Sequence, residues 1–160
     1  MENIVIADWI NPLHAESVVQ LLNTYAKDEM GGGAELPEFV QANLVAELRK
    51  RPQVIAILAF VDHEPAGLAI CIEGFSSFAC MPLLNIHDMV VAPRFRGRRI
   101  SQKILAKAEE WAREHQCCKL TLEVLEGNHT AQQAYRSFGF EGYELDPKMG
   151  KAMFWQKKLA

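Results

Sequence analysis

The stretch Val90 to Ser101, VVAPRFRGRRIS, sets four arginines and a glycine behind a short apolar run that ends at a proline. If a helix begins after this turn, its first amides have no intrahelical partners and its dipole adds roughly half a positive charge there. Such an end holds an anion when the loop before it lets backbone approach closely, which Gly97 allows. Arg96, Arg98 and Arg99 add guanidinium forks that match phosphate oxygens. The chemistry is therefore that of a phosphate site, with a solvated basic turn as the plainer alternative. Neither GxGxxG nor GxxxxGK[ST] occurs in the chain.

A strand must precede this turn and a helix must follow it, and the flanking residues provide both. Asn85 to Val91 reads as a strand that Pro93 ends, because proline cannot donate to a ladder. Ile100 to Glu114 places Ile100, Ile104, Leu105, Ala108, Trp111 and Ala112 on one stripe, with Lys103, Lys107, Glu109, Glu110 and Arg113 opposite. Lys119 to Leu125 then alternates as a strand. Asn128 as N-cap and Gly139 as C′ residue bracket a short helix carrying Ala131, Ala134, Tyr135 and Phe138.

Upstream, Asn3 to Trp9 reads as a first strand, and Pro12 opens a helix with Val18, Val19, Leu21, Leu22 and Tyr25 at helical period. Gly31-Gly32-Gly33 breaks it, and Leu36-Pro37 starts a second helix that ends at Arg49-Lys50-Arg51. Val54 to Val61 and Ala66 to Ile72 form an antiparallel hairpin around Asp62-His63-Glu64-Pro65. Gly74 to Leu84 reads as irregular. Gly142 to Leu145 and Ala152 to Lys158 read as a closing hairpin. The order is βααβββαβαββ, an α/β chain with a mixed sheet, and the expected organisation is one domain over residues 1–160.

Bulk properties narrow the partners. The chain has 160 residues, 49% hydrophobic and 23% charged, with a net charge of −3. These values suit a globular fold and argue against a nucleic-acid binder, which would be basic overall. No apolar run approaches the roughly 20 residues needed to span a bilayer, and MENIVIADWI lacks the features of a signal peptide. A cytoplasmic protein is expected, with no membrane partner. The four cysteines show no disulfide or metal spacing and are expected to be buried, reduced thiols. No metal site is expected.

HDMVVAPRFRGRRISQKIL resembles the coenzyme A-binding segment of the GNAT superfamily of N-acetyltransferases. In that family a Val-x-Pro strand end leads into an Arg-Gly-x-Gly-x-Gly/Ala turn. Val91 and Pro93 match the strand end, and Arg96 and Gly97 the start of the turn. Arg99 stands where the family has glycine, and Ser101 where it has glycine or alanine. LEVLEGNHTAQQAYRSFGF is similar to a second family segment, with Asn128, Ala131, Tyr135, Gly139 and Phe140 in register.

The resemblance implies a GNAT-like fold, acetyl-coenzyme A as co-substrate, and direct transfer to a primary amine in a ternary complex. A small-molecule amine such as a polyamine, amino acid or aminoglycoside-like compound is the leading acceptor. A protein or peptide N-terminal acetyltransferase and a catalytically silent coenzyme A-binding module are the alternatives. It assigns to the coenzyme the strand end Met89, Val90 and Val91, and the turn Arg96, Gly97, Arg98, Arg99, Ile100 and Ser101. Asn128, Ala131, Ala134 and Tyr135 complete that set. Tyr135 is the implied donor to the departing thiolate, and Asp88 the implied catalytic and substrate-contacting carboxylate. His87, Glu73 and Glu123 are further substrate-side candidates. Because strand residues alternate, only one of His87 and Asp88 can readily face the cleft. Asp28, Glu29, Glu35 and Glu38 flank the triple glycine; the resemblance makes this loop a substrate wall, whose acidity would suit a cation, with a mobile surface loop of scattered charge as the plainer alternative. The resemblance leaves a homodimer open as the assembly.

Overall fold

The computed structural model describes residues 1–159. Five strands form one sheet in the order β1-β2-β3-β4-β5: β1 Glu2–Ile6, β2 Val54–Val61, β3 Glu64–Ser76, β4 Met81–Val91 and β5 Leu120–Leu122. The first four pair antiparallel and β5 joins β4 parallel. Helices α1 (Pro12–Lys27), α2 (Glu38–Arg49), α3 (Ile100–Glu114) and α4 (His129–Phe138) cover the sheet. A short 3-10 turn, Glu29–Gly31, lies between α1 and α2.

The sheet is buried on both faces, which explains why β2 is apolar along almost its whole length. Ile57 and Ala59 join Ile100, Ile104, Leu105 and Ala108 of α3 on one face. Leu58 and Phe60 join Val18 and Leu21 of α1 and Leu48 of α2 on the other. Among the described residues no helix is long and apolar enough to cross a membrane.

The α3 bounds and the Asn128 and Gly139 caps agree with the sequence reading. Three other readings are corrected. Gly74 to Leu84, expected to be irregular, extends the β3–β4 hairpin to the pair Ser76↔Met81. Its pattern is masked because Phe75 and Phe78 lie exposed at its tip. The closing hairpin reduces to a single bridge between Glu144 and Lys151. A strand forms only beside a hydrogen-bonding neighbour, and the described sheet ends at β5, which is three residues long. Of the cysteines, Cys71 alone is buried; Cys117 and Cys118 are half-buried and Cys80 is exposed.

Candidate active site

The site begins with a defect in β4. Ile70 pairs with Asp88, but Cys71 pairs with Ile86, so His87 is one extra residue in the ladder. Such a bulge changes which face the following side chains occupy. Leu84 and Ile86 pack on the α3 face, and beyond the bulge Met89 and Val91 do so. Val90 therefore packs on the α1 face, and strand alternation puts Asp88 on that face as well. Burial pushes the Asp88 carboxyl above the ordinary carboxylate range, opposed by His87. His87 itself is exposed.

The same strand then loses its neighbour. Pairing between β4 and β5 ends at Ile86↔Leu122, while β4 continues to Val91. The Ala92 N–H donates to the Ala66 carbonyl at 2.8 Å. Backbone groups alternate along a strand, so the amides of Met89 and Val91 point to the opened side. The Val90 amide points into the ladder and its side chain is buried in the core. Val90 thus supports the edge rather than presenting a group to it.

At the end of β4, Gly97 has φ +78° and Arg99 φ 59°, ψ 25°. A Cβ on Gly97 would meet nothing within 4 Å, so conformation rather than space calls for glycine there. Arg99 takes the left-handed conformation that glycine adopts easily, at a cost of about 1–2 kcal/mol for a residue with a Cβ. It caps α3 without a side-chain bond to the helix amides, and Ile100 anchors the first turn in the core. The amides after Arg99 are therefore free to receive an anion. Arg94 pairs with Glu64 at 2.5 Å, Arg96 with Asp28 at 3.0 Å and Arg98 with Glu2 at 3.5 Å. Among the described residues Arg99 makes no ion pair. A glycine turn, uncapped amides and an unpaired guanidinium fit a pyrophosphate.

Helix α4 packs against α3, the helix that follows this turn. Asn128 Oδ1 accepts the Ala131 N–H at 3.2 Å, which leaves its amide nitrogen for another partner. Tyr135 packs edge-on to Phe140, with ring centroids 6.0 Å apart. Burial pushes its hydroxyl up to about 12, and Tyr25 adds to the shift. Tyr25, from the last turn of α1, is itself raised by burial, then by the charges of Asp88 and Asp28. Tyr25 thus feels the charges of Asp88 and Asp28 and in turn acts on Tyr135. The sequence showed it only as one member of an apolar stripe.

The remaining candidates lie apart from this group. Glu73 is half-buried on β3 and its charge acts on Cys117. Glu123 is exposed just past β5. Glu35 pairs with Lys27 at 2.7 Å. A hollow of about 300 Å³ between α3, β5 and α4 is lined by Cys117, Lys119, Phe138 and Phe140. A groove of about 800 Å³ separates α1 from α2. Neither includes Asp88, Tyr135 or the glycine turn, so the candidate site is the open splay.

The chain belongs to the acetyltransferase (GNAT) family, which it matches over residues 17–140, and it is an N-acetyltransferase. It is 26% identical over 129 residues to a thialysine N-epsilon-acetyltransferase of Caenorhabditis elegans, covering 79% of this chain and 76% of that one. It is 41% identical over 85 residues to a streptothricin acetyltransferase of Streptomyces lavendulae, covering 53% of this chain and 43% of the relative. The aminoglycoside acetyltransferase AAC(6')-Iy, solved with a bisubstrate analogue of coenzyme A, superposes with a TM-score of 0.76 at 18% identity, covering 99% of each chain.

Proposed function

We propose that this chain moves the acetyl group of acetyl-coenzyme A directly to a primary amine of a small molecule, with both substrates bound together. One observation carries the reading: Asp88 and the amides of Met89 and Val91 lie on β4 where it leaves β5, just before the glycine turn, and the α4 residue Tyr135 is linked to Asp88 through Tyr25, whose hydroxyl feels Asp88 and acts on Tyr135. The small-molecule acceptor is supported by relatives named for thialysine and streptothricin and by the acidic wall after α1.

Bound acetyl-coenzyme A supplies a thioester carbonyl for attack and a thiol as leaving group. Gly97, Arg98, the free Arg99 guanidinium and the amides of Ile100 and Ser101 hold its pyrophosphate. The Met89 and Val91 amides stabilise the carbonyl oxygen as it gains charge. Ala131 and Ala134 line the pantetheine path with small side chains, and the free Asn128 amide binds that arm or a bridging water.

An alkylammonium with a pKa of about 10.4 must lose its proton, which costs about 4–5 kcal/mol at neutral pH. Asp88 takes that proton, directly or through water, and its raised carboxyl is a better base than an exposed aspartate. Tyr135 donates to the departing sulfur. A hydroxyl near 12 does not surrender its proton to a thiolate of pKa about 8.5. Its contribution is a hydrogen bond that stabilises the developing charge, and the thiolate takes up the second proton, released by the acetylated nitrogen as the C–S bond breaks.

Release of free thiol from acetyl-coenzyme A, measured with thialysine, neamine, spermidine and a short peptide, tests the reading. Greater turnover with the small amines is expected. Turnover confined to the peptide reassigns the acceptor, and tight coenzyme A binding without any turnover removes the transfer reading. A cytoplasmic location fits the free cysteines. A homodimer fits the exposed Met153, Phe154 and Trp155, and light scattering tests it.

A further inference from the structure

Asp28 ends α1, where its Oδ1 accepts the Met30 N–H at 3.0 Å and caps the Glu29–Gly31 turn. Its Oδ2 accepts from Arg96 Nη2 at 3.0 Å. The same guanidinium donates from Nε to the Val91 carbonyl at 3.2 Å. One arginine on the glycine turn thereby joins the end of β4 to the acidic wall on the acceptor side. Asp28 also lies close enough to Tyr25 for its charge to act on the same hydroxyl as Asp88.

Two features make this pair easy to exchange. The Arg96 side chain is 55% exposed and that of Asp28 32%, and a pair so wet contributes little net stability. Arg96 also precedes Gly97 and the uncapped amides of α3. An anion gathered there carries more charge than one carboxylate, and its oxygens accept a guanidinium in bidentate fashion.

We propose that Asp28 and Arg96 form an exchangeable pair: a pyrophosphate at the glycine turn takes Arg96, and the released Asp28 carboxylate turns to the cationic acceptor. This rests on the turn being the coenzyme A site. Without the coenzyme the two charges cancel and the acceptor wall is one negative charge weaker. With the coenzyme bound, Asp28 joins Glu29 as a free carboxylate on that wall. The pair thus makes acceptor binding follow coenzyme binding, and the coupling is reciprocal.

Asp28→Asn keeps an oxygen for the Met30 N–H and removes the charge that competes for Arg96. Calorimetric titration is expected to give coenzyme A binding about 5-fold tighter in this variant. Inorganic pyrophosphate should follow the same direction, and pantetheine, which lacks that group, should bind as before. Glu29→Gln removes a neighbouring charge that holds no arginine and should leave the affinity within about 2-fold. In the wild type, the Met30 amide and the Arg96 guanidinium hold the Asp28 carboxyl below the ordinary range. Its titration, followed by carboxyl ¹³C NMR, should move upward once coenzyme A saturates the protein. Weaker binding in Asp28→Asn, equal tightening in Glu29→Gln, or an Asp28 titration that coenzyme A does not move would each overturn the exchange. Failure of coenzyme A to bind the wild type would overturn the reading of the turn, and the exchange with it.

Discussion

Gln102 Nε2, in the first turn of α3, donates to the carbonyl of Ala134 on α4 at 2.9 Å. The bond ties the helix that begins at the glycine turn to the residue preceding Tyr135. The bond thereby limits movement of Tyr135 relative to the glycine turn, which matters if both serve one reaction. Gln102→Leu keeps comparable bulk and removes the bond, worth about 0.5–1.5 kcal/mol. The expected outcome is a several-fold loss in kcat with coenzyme A affinity little changed. Equal kcat in the variant would reduce the bond to packing.

Arg99 predicts opposite signs for stability and binding. Arg99→Gly relieves the left-handed cost of about 1–2 kcal/mol and adds unfolded-state entropy costing about 0.5–1 kcal/mol. The variant should be more stable by about 0.5 kcal/mol in urea titration. It should bind coenzyme A more weakly, with a shallower salt dependence, because a free cation has been removed. Unchanged affinity would leave the pyrophosphate to backbone alone.

Tyr135→Phe keeps the ring against Phe140 and loses the hydroxyl. Turnover should fall by about 10²-fold while coenzyme A binding stays near wild type. Because the hydroxyl near 12 stabilises charge by hydrogen bonding, wild-type kcat should show no basic limb from Tyr135 below pH 10. A basic limb near neutrality that vanishes in the variant would refute this role.

Asp88 trades stability for chemistry. Its folded carboxyl is raised by burial, so folding favours the protonated form. Stability therefore declines as pH rises from the ordinary carboxylate range through the raised value. Asp88→Asn should raise Tm at pH 7, with the gain disappearing near pH 3, and should lower turnover by about 10²-fold. The acid limb of wild-type kcat/KM should lie above that of an exposed aspartate. A lower Tm in Asp88→Asn at pH 7 would show that the charged form is stabilised instead.

Several elements were legible because they rest on local rules. The stripe from Ile100 to Ala112 sets α3 whatever packs on it, and Asn128 and Gly139 bracket α4 through their own backbone preferences. The glycine turn is likewise a local arrangement of backbone and charge, and the sequence alone determined that it could hold an anion. Sequence also placed Tyr135 and Asp88 among the candidates, through the resemblance of two short segments.

Tertiary structure decided the rest, because it depends on partners far away in the chain. Whether Asp88 or His87 turns to the α1 face depends on one extra residue in β4, and a bulge is visible only against the register of β3. Tyr25 enters the site because α1 packs across the sheet beside β4, which no periodicity in α1 could announce. Arg96 pairs with Asp28, 68 residues away, because an ion pair depends on distance in space rather than along the chain. For the opening segment the division is clear: a basic glycine turn before a helix is legible in the sequence, while packing pairs Arg94, Arg96 and Arg98 with carboxylates and, among the described residues, leaves Arg99 without an ion pair.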